Sequence, residues 1–245
     1  MPDKRLTLVL SADSAVPEPK TLVESAYRSL RRDIIEGRLA PDEKLRVEHL
    51  KDDYGVGAGT LREALSLLIS DALVVSQGQR GFRVAPVSMA DFEDITQTRV
   101  MLECEALRQS IARGDDAWEG ELLAAFHRLT KAEEKLADDE AREEWEERNR
   151  IFHEVLISAC PSHWIKYFLS ILYHQAERYR RFSLYLKPLP RDVHAEHDAL
   201  FKAAMARQAD QASAIMADHI RLTFSSLAQL PQEMFAKGKP ASPAP

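Results

Sequence analysis

The pattern of apolar positions divides the chain into two regions that differ in their periodicity. In residues 21–86, apolar side chains recur at helical spacing in three segments, and two short β-prone runs follow at 73–76 and 82–85, around a polar turn with glycine. The spacing predicts three helices, the last two joined by a tight turn at Gly55, and then a β-hairpin. This order is typical of a winged helix-turn-helix domain.

Residues 88–235 show only helical periodicity, which predicts an all-helical domain. The predicted helices cover residues 89–113, 118–138, 141–159, 163–186, 192–206 and 208–229. The two ends show no periodicity, and we expect residues 1–20 to form a flexible arm and residues 236–245 a disordered tail. The predicted fold class is therefore mainly α, with an N-terminal winged helix-turn-helix and a C-terminal helical bundle for effector binding and dimerisation.

The composition of the 245-residue chain excludes several classes of protein. Hydrophobic residues make up 45% and charged residues 29%, the balance of a globular protein with a real core. No apolar run approaches the roughly 20 residues that cross a bilayer, and the segment at 6–10 is shorter than the core of a signal peptide, usually about 7–15 residues. Cys104 and Cys160 are too few for a disulfide framework. We expect a cytoplasmic protein with no membrane partner.

The net charge of −6 is unevenly distributed along the chain. Residues 1–85 carry 13 basic and 13 acidic side chains, so the whole acidic excess lies in residues 86–245. Because DNA binding depends more on where the charges lie than on the net charge of the whole chain, a DNA-binding role for the neutral N-terminal region stays open.

The third predicted helix begins with residues suited to a DNA backbone. Its first turn carries small or hydrogen-bonding residues: Gly57, Ala58, Gly59 and Thr60. Exposed N–H groups and the helix dipole at such an end attract phosphate oxygens. Arg62 lies off the apolar stripe and can bind phosphate or guanine; alternatively it pairs with Glu63 or Asp71 on the surface. The hairpin turn offers Gln79, Arg80 and Gly81 to the minor groove.

The stretch YGVGAGTLREALSLLISDALV, followed by QGQRGFRV, resembles the GntR-type bacterial transcription regulators over roughly residues 21–235. The helical region is similar to the FadR-type effector domain, called FCD. The motifs GVGAGTLREAL, ARGDDAWE and FHEVLISACPSHW resemble the carbon-starvation-induced subgroup that represses glutarate and γ-aminobutyrate degradation. The resemblance implies DNA contact by Arg62 and a short dicarboxylate effector such as glutarate. Ala58 departs from the family, in which many members carry Arg.

Three histidines lie on apolar faces of separate predicted helices: His153, His197 and His219. An unpaired imidazole in a core is costly, and one divalent metal satisfies three of them. Any one of these histidines, taken alone, is more simply explained as a hydrogen-bonded residue of the core. The resembling effector domains bind a metal through three histidines and an acidic residue four positions before the first. That position is Asn149 here, a weaker neutral ligand. Zn²⁺ and Ni²⁺ both suit imidazole ligands.

Arg99 lies in line with apolar residues of the first helix of this domain, so its guanidinium needs a buried partner. A ligand carboxylate bound bidentately is one solution, and an internal salt bridge with Glu103 is the other. The family resemblance favours an effector pocket at Arg99. We predict that Tyr173 and Arg178 line its opposite wall.

Two functions compete at this point. The first is a ligand-responsive repressor of a carboxylate catabolic operon, binding a palindromic site in double-stranded DNA as a homodimer, because one recognition helix reads too few base pairs. The second is a metal-dependent enzyme acting on a small carboxylate. The sequence contains no H-E-x-x-H pair, no G-x-S-x-G elbow and no Walker loop, which favours the first.

Overall fold

The structure is a computed structural model that describes residues 19–78, 81–135, 139–183 and 191–229. The predicted wing residues Gln79 and Arg80 lie outside the described residues. So do most of the predicted arm and all of the predicted tail, which fall in 1–18 and 230–245.

The N-terminal region is a winged helix-turn-helix, as predicted. Its elements are α1 (Leu22–Ile35), β1 (Lys44–Leu45), α2 (Val47–Asp53), α3 (Ala58–Ser70), β2 (Val74–Ser76) and β3 (Phe82–Val84). The strands form an antiparallel sheet in the order β1-β3-β2. Leu61, Leu65 and Leu68 are fully buried beside Leu30 of α1, so the apolar stripe of α3 faces the core and its polar face is left for a partner. Strand β1 was not predicted, because its two residues are extended only through pairing with β3.

The rest of the described chain is helical, which confirms the predicted fold class. The helices are α4 (Met89–Arg113), α5 (Asp116–Glu133), α6 (Asp139–Leu156), α7 (His163–Ser183), α8 (Val193–Met205) and α9 (Ala209–Leu227). Helix α5 begins two residues before its predicted start, because the side chain of Asp115 accepts a hydrogen bond from the Trp118 N–H and caps the first turn.

The bundle is organised around α4, which packs along α9 and α7, while α5 packs against α6 and α8. Its core is apolar, with fully buried Leu107, Leu122, Leu129, Phe152 and Leu156. None of the helices in the described ranges combines the length and the apolar character needed to span a bilayer.

Helix α7 joins the two regions through hydrogen bonds. The amide of Gln175 donates to the Asp71 carbonyl at 2.8 Å, and the guanidinium of Arg178 donates to the Ala85 carbonyl at 2.6 Å. A cleft of about 370 Å³ lies at this junction, and none of the three histidines lines it. The sequence analysis predicted Arg178 in the effector pocket. Its hydrogen bonds place it at the junction instead, because it lies on a different face of α7 from Tyr173.

Candidate metal centre and nucleic-acid interface

The first turn of α3 is open to solvent. Gly57 caps the helix with an extended backbone, and Gly57, Gly59 and Arg62 are exposed, with Ala58 and Thr60 half-buried. A Cβ atom added at Gly57 or Gly59 meets no atom within 4 Å. Packing within the chain therefore does not require glycine at either position. A helix end that is small, exposed and rich in free N–H groups can approach a phosphate backbone closely.

The wing is a hairpin of β2 and β3 closed by the bond from the Gln77 N–H to the Gly81 carbonyl, at 2.9 Å. Gly81 has a φ of 88°, a left-handed conformation that favours glycine. Arg83, which the sequence analysis did not single out, donates to the Gln77 side chain and to the Asp42 carbonyl. These bonds fix the base of the wing.

The three predicted histidines meet inside the helical domain. His153 of α6, His197 of α8 and His219 of α9 are buried, and each offers one ligand atom within 4.8 Å of the others. The His197 and His219 ring centroids lie 4.9 Å apart, and those of His153 and His219 lie 5.2 Å apart. Three imidazoles at this spacing form a ligand set suited to a divalent transition metal.

A carboxylate is hydrogen-bonded to two of the three rings. The Nδ1 atom of His219 lies 2.8 Å from Glu196, and that of His197 lies 3.0 Å from Glu133. The Nδ1 atom of His153 lies 3.7 Å from Glu103, too far for a hydrogen bond, and has no hydrogen-bond partner among the described residues. A carboxylate at Nδ1 fixes the ring and leaves Nε2 to bind a metal, the usual arrangement in metal sites. The sequence analysis did not identify Glu133 or Glu196 in this role. Each carboxylate lies on a different helix from the histidine that it contacts, and no local pattern in the sequence indicates such a pair.

Asn149 lies one turn before His153 on α6. Its NH₂ group donates to the Tyr173 hydroxyl at 2.8 Å, while its Oδ1 atom is buried without a hydrogen-bond partner among the described residues. The Nε2 atom of His197 is likewise buried and unpartnered there. A buried acceptor without a donor is costly, and a cation held by both atoms removes that cost. The residues therefore fit a divalent metal.

Arg99 lies in the same part of the domain and is 5% exposed. It pairs with Glu103 at 2.6 Å, the alternative left open by the sequence, and its guanidinium lies 5.3 Å from the centre of the Tyr173 ring. Burial raises the pKa of Glu103, but the charge of the neighbouring Arg99 outweighs burial and holds that pKa at about 2. Glu103 is therefore ionised and partly neutralises Arg99.

A second arginine lies against the Tyr173 ring. Arg180 lies 4.5 Å from the centre of that ring and pairs with the buried Glu146 at 3.0 Å. The sequence offered no specific signal for Arg180, because nothing local distinguishes it from the adjacent arginines of α7. Both guanidinium groups therefore lie near the Tyr173 ring, and each is paired with a buried carboxylate.

Burial keeps His153 and His219 neutral. It lowers the pKa of His153 to about 4, more than the Glu103 carboxylate raises it, and it lowers the pKa of His219 well below its ordinary value. The neutral imidazole is the form that binds a metal.

The comparisons with known proteins agree with this geometry. Residues 22–84 match the GntR family of bacterial regulatory proteins, and residues 94–222 match the FCD domain. The chain belongs to the GntR family. Since the matched families and the relatives below are regulators of transcription, this GntR protein is a regulator and not an enzyme, which answers the alternative left open above.

Two relatives and one solved structure extend the likeness over most of the chain. The chain is 47% identical to the HTH-type transcriptional regulator BphR of Paraburkholderia xenovorans over 86% of each protein. It is 38% identical to the HTH-type transcriptional repressor GlaR of Escherichia coli, covering 79% of this chain and 90% of GlaR. The structure of E. coli McbR/YncC superposes with a TM-score of 0.69 at 19% identity, over 85% of this chain and 98% of that one.

Proposed function

We propose that this GntR regulator is a metal-dependent repressor that responds to a short carboxylate, with glutarate as the first candidate. The observation that carries the proposal is the buried cluster of His153, His197 and His219 beside Arg99, with carboxylates at Nδ1 of His197 and His219. The repressor role is supported by the similarity to GlaR, and the dicarboxylate by the motif resemblance. We place the protein in the cytoplasm, where its DNA target lies.

The metal ligands in this proposal are the three histidines and Oδ1 of Asn149. Zn²⁺ and Ni²⁺ both suit three imidazoles. A bound divalent cation supplies a positive charge that a carboxylate oxygen can bind. Arg99 offers a second positive charge, and the Tyr173 ring it covers forms a wall of the effector site. A dicarboxylate has two charged ends, which matches a site with two cationic groups.

The DNA-binding residues are those at the start of α3, namely Gly57, Ala58, Gly59, Thr60 and Arg62, with Gln79, Arg80 and Gly81 of the wing. The first turn of α3 enters the major groove and its N–H groups bind phosphates. A homodimer presents two such helices, so the operator is a palindrome whose half-sites are about one helical turn apart.

Helix α7 connects the two sites. Tyr173 accepts a hydrogen bond from Asn149, and two residues later Gln175 donates to the carbonyl of Asp71, the residue that ends α3. A change in the position of Tyr173 is therefore transmitted through a rigid helix to the end of the recognition helix. A coupling of about 1–3 kcal/mol changes DNA affinity roughly 5–150-fold.

A thermal-shift screen tests the effector proposal. The metal-loaded protein is heated with carboxylic acids of increasing chain length, because a ligand that binds the folded state raises the apparent stability. We expect glutarate or a near homologue to raise the melting temperature, and chelation or Arg99→Ala to abolish the shift. Lys131→Ala, a change in an exposed pair with Glu134, is the matched control and keeps the shift. No shift with any acid, with or without metal, contradicts the proposal.

A further inference from the structure

Arg191 lies two residues before α8 and binds the carboxylate that contacts His219. Its Nε and Nη2 atoms donate to the two oxygens of Glu196, at 2.7 and 2.6 Å. Two parallel hydrogen bonds of this kind hold a carboxylate in one orientation. The same guanidinium donates to the main-chain carbonyl of His219 and to the hydroxyl of Thr223, each at 2.9 Å. Four hydrogen bonds therefore converge on a side chain that is 14% exposed.

These hydrogen bonds join the two helices that carry His197 and His219. Glu196 belongs to α8 and directly precedes His197, while His219 and Thr223 belong to α9. Because Arg191 binds to both helices, it holds them together beside the histidine cluster. The Glu196 carboxylate is half-buried, and its other contact is the one with the His219 ring. Arg191 therefore supplies most of the contacts that orient this carboxylate.

Arg191 and Glu196 approach the same ring nitrogen of His219. The Nη2 atom of Arg191 lies 3.3 Å from Nδ1, and the Oε2 atom of Glu196 lies 2.8 Å from it. A guanidinium only donates hydrogen bonds and an ionised carboxylate only accepts them. Since the carboxylate makes the shorter contact, we assign the proton to Nδ1, which leaves Nε2 to bind a cation. Donation from Arg191 to Nδ1 would instead place the proton on Nε2 and block that nitrogen.

A similar but weaker arrangement lies behind His197. One oxygen of Glu133 accepts from the His197 ring, and the other lies 2.6 Å from Nδ1 of His194. Each carboxylate that contacts a ring of the cluster is thus itself held by a basic side chain near the start of α8. His194 is 49% exposed and makes one such contact, whereas Arg191 makes four hydrogen bonds and is largely buried. Of the two, Arg191 is the residue whose loss disturbs the cluster more.

We propose that Arg191 is a positioning residue of the metal centre, which fixes Glu196 and, through it, the orientation and the protonated nitrogen of the His219 ring. The inference rests on the proposed function and adds a residue that does not itself bind the metal. The charge of Arg191 alone has the opposite effect, because a cation near the site repels a metal ion and its removal would tighten binding. The two roles therefore predict changes of opposite sign when Arg191 is replaced.

Competition titration of the full-length protein with Zn²⁺ and a chromophoric chelator measures the sign. We expect Arg191→Met, which keeps an apolar stem and removes all four hydrogen bonds, to weaken Zn²⁺ binding by about 10–100-fold. Arg191→Lys keeps the charge but not the paired hydrogen bonds, so it restores only part of the affinity. The matched control is Arg221→Met, which changes a 60% exposed arginine of α9 and leaves the affinity unchanged. Circular dichroism verifies that each variant keeps the helical fold.

Two further readouts separate positioning from a general loss of stability. Glu196→Gln also weakens Zn²⁺ binding, and adding Arg191→Met to it changes little, because both act through the same contact. The visible absorption bands of the Co²⁺-loaded protein shift in Arg191→Met and not in Arg221→Met. Wild-type or tighter Zn²⁺ binding by Arg191→Met, or fully additive effects of the two substitutions, overturns this inference alone. A wild type that binds Zn²⁺ no better than His197→Ala overturns the proposed metal centre as well.

Discussion

The side-chain amide of Asn149 donates a hydrogen bond to the hydroxyl oxygen of Tyr173 at 2.8 Å, and this contact determines which of its atoms is left to bind a cation. Because the NH₂ group is engaged, Oδ1 is the atom left buried and without a hydrogen-bond partner within the described residues. An amide oxygen is a neutral ligand and binds a cation more weakly than a carboxylate does. The contact thus sets both the orientation and the strength of one proposed metal ligand.

Replacing this neutral ligand with a charged one tests its place in the site. We expect Asn149→Asp to raise the affinity for Zn²⁺ by on the order of tenfold, because a carboxylate adds a negative charge next to the ion. Competition titration against a chromophoric chelator measures the change. Asn149→Ala is the matched variant and lowers the affinity. An aspartate variant that binds Zn²⁺ no better than the alanine variant would show that position 149 does not touch the metal.

The carboxylates behind the rings give a second prediction. We expect Glu133→Gln to weaken Zn²⁺ binding by about 10–100-fold, because the amide no longer holds the His197 ring through a charged acceptor. The adjacent Glu134 is exposed and pairs with Lys131, so Glu134→Gln serves as the control and leaves the affinity unchanged. Equal effects of the two substitutions on calorimetric titrations would contradict a specific role for Glu133.

A substitution of Gly59 in the first turn of α3 is expected to change DNA binding without lowering stability. Gly59→Ala leaves the free energy of unfolding unchanged or higher, since the added Cβ meets nothing and alanine favours helix by up to about 1 kcal/mol. We expect the same substitution to weaken DNA binding about tenfold, because the Cβ stands between the backbone and a phosphate. Fluorescence anisotropy on an operator selected from a random DNA library measures this.

Gly120 provides the matched control for that prediction. It lies in α5, and a Cβ atom there also meets nothing within 4 Å. Gly120→Ala should stabilise the protein and leave DNA affinity as it was. If Gly59→Ala binds DNA as tightly as Gly120→Ala does, the first turn of α3 does not approach the duplex.

The sequence correctly predicted the features that depend on local patterns of residues. Helical periodicity located α1–α9, and the apolar faces of α6, α8 and α9 indicated which histidines point inward. Partners that come from distant elements left no local signal, as with Glu133 of α5 behind His197 of α8. Arg178 shows the same limit, because it lies on a different face of α7 from Tyr173 and its partner, the Ala85 carbonyl, comes from the other region of the chain.

The half-buried carboxylate of Glu177 on α7 predicts how the stability of the protein depends on pH. Burial raises the pKa of Glu177, but the charges of Arg180 and Arg181 outweigh burial and hold that pKa at about 2. A carboxyl whose pKa is lower in the folded state stabilises above its unfolded value of about 4.3, and the stabilisation is lost as the pH falls toward 2. Its size is on the order of 2–3 kcal/mol.

Urea unfolding at a series of acidic pH values measures this contribution. We expect Glu177→Gln to be less stable than wild type at neutral pH and the two curves to converge as the pH falls below about 4. Glu144→Gln, a change in a more exposed pair with Arg148, is the control and keeps the wild-type slope. A Glu177→Gln variant that retains the full wild-type pH dependence would contradict the lowered pKa.

The central claim is that the histidine cluster reports a small carboxylate to the recognition helix. Its most direct test is the dissociation constant of the Zn²⁺-loaded protein for its selected operator, measured by anisotropy at fixed salt, with and without glutarate. The account predicts that glutarate weakens operator binding of the wild type by roughly 5–150-fold. It also predicts no effect of glutarate on His197→Ala. An equal response of the wild type and His197→Ala, or no response of either to any short carboxylate, would contradict it.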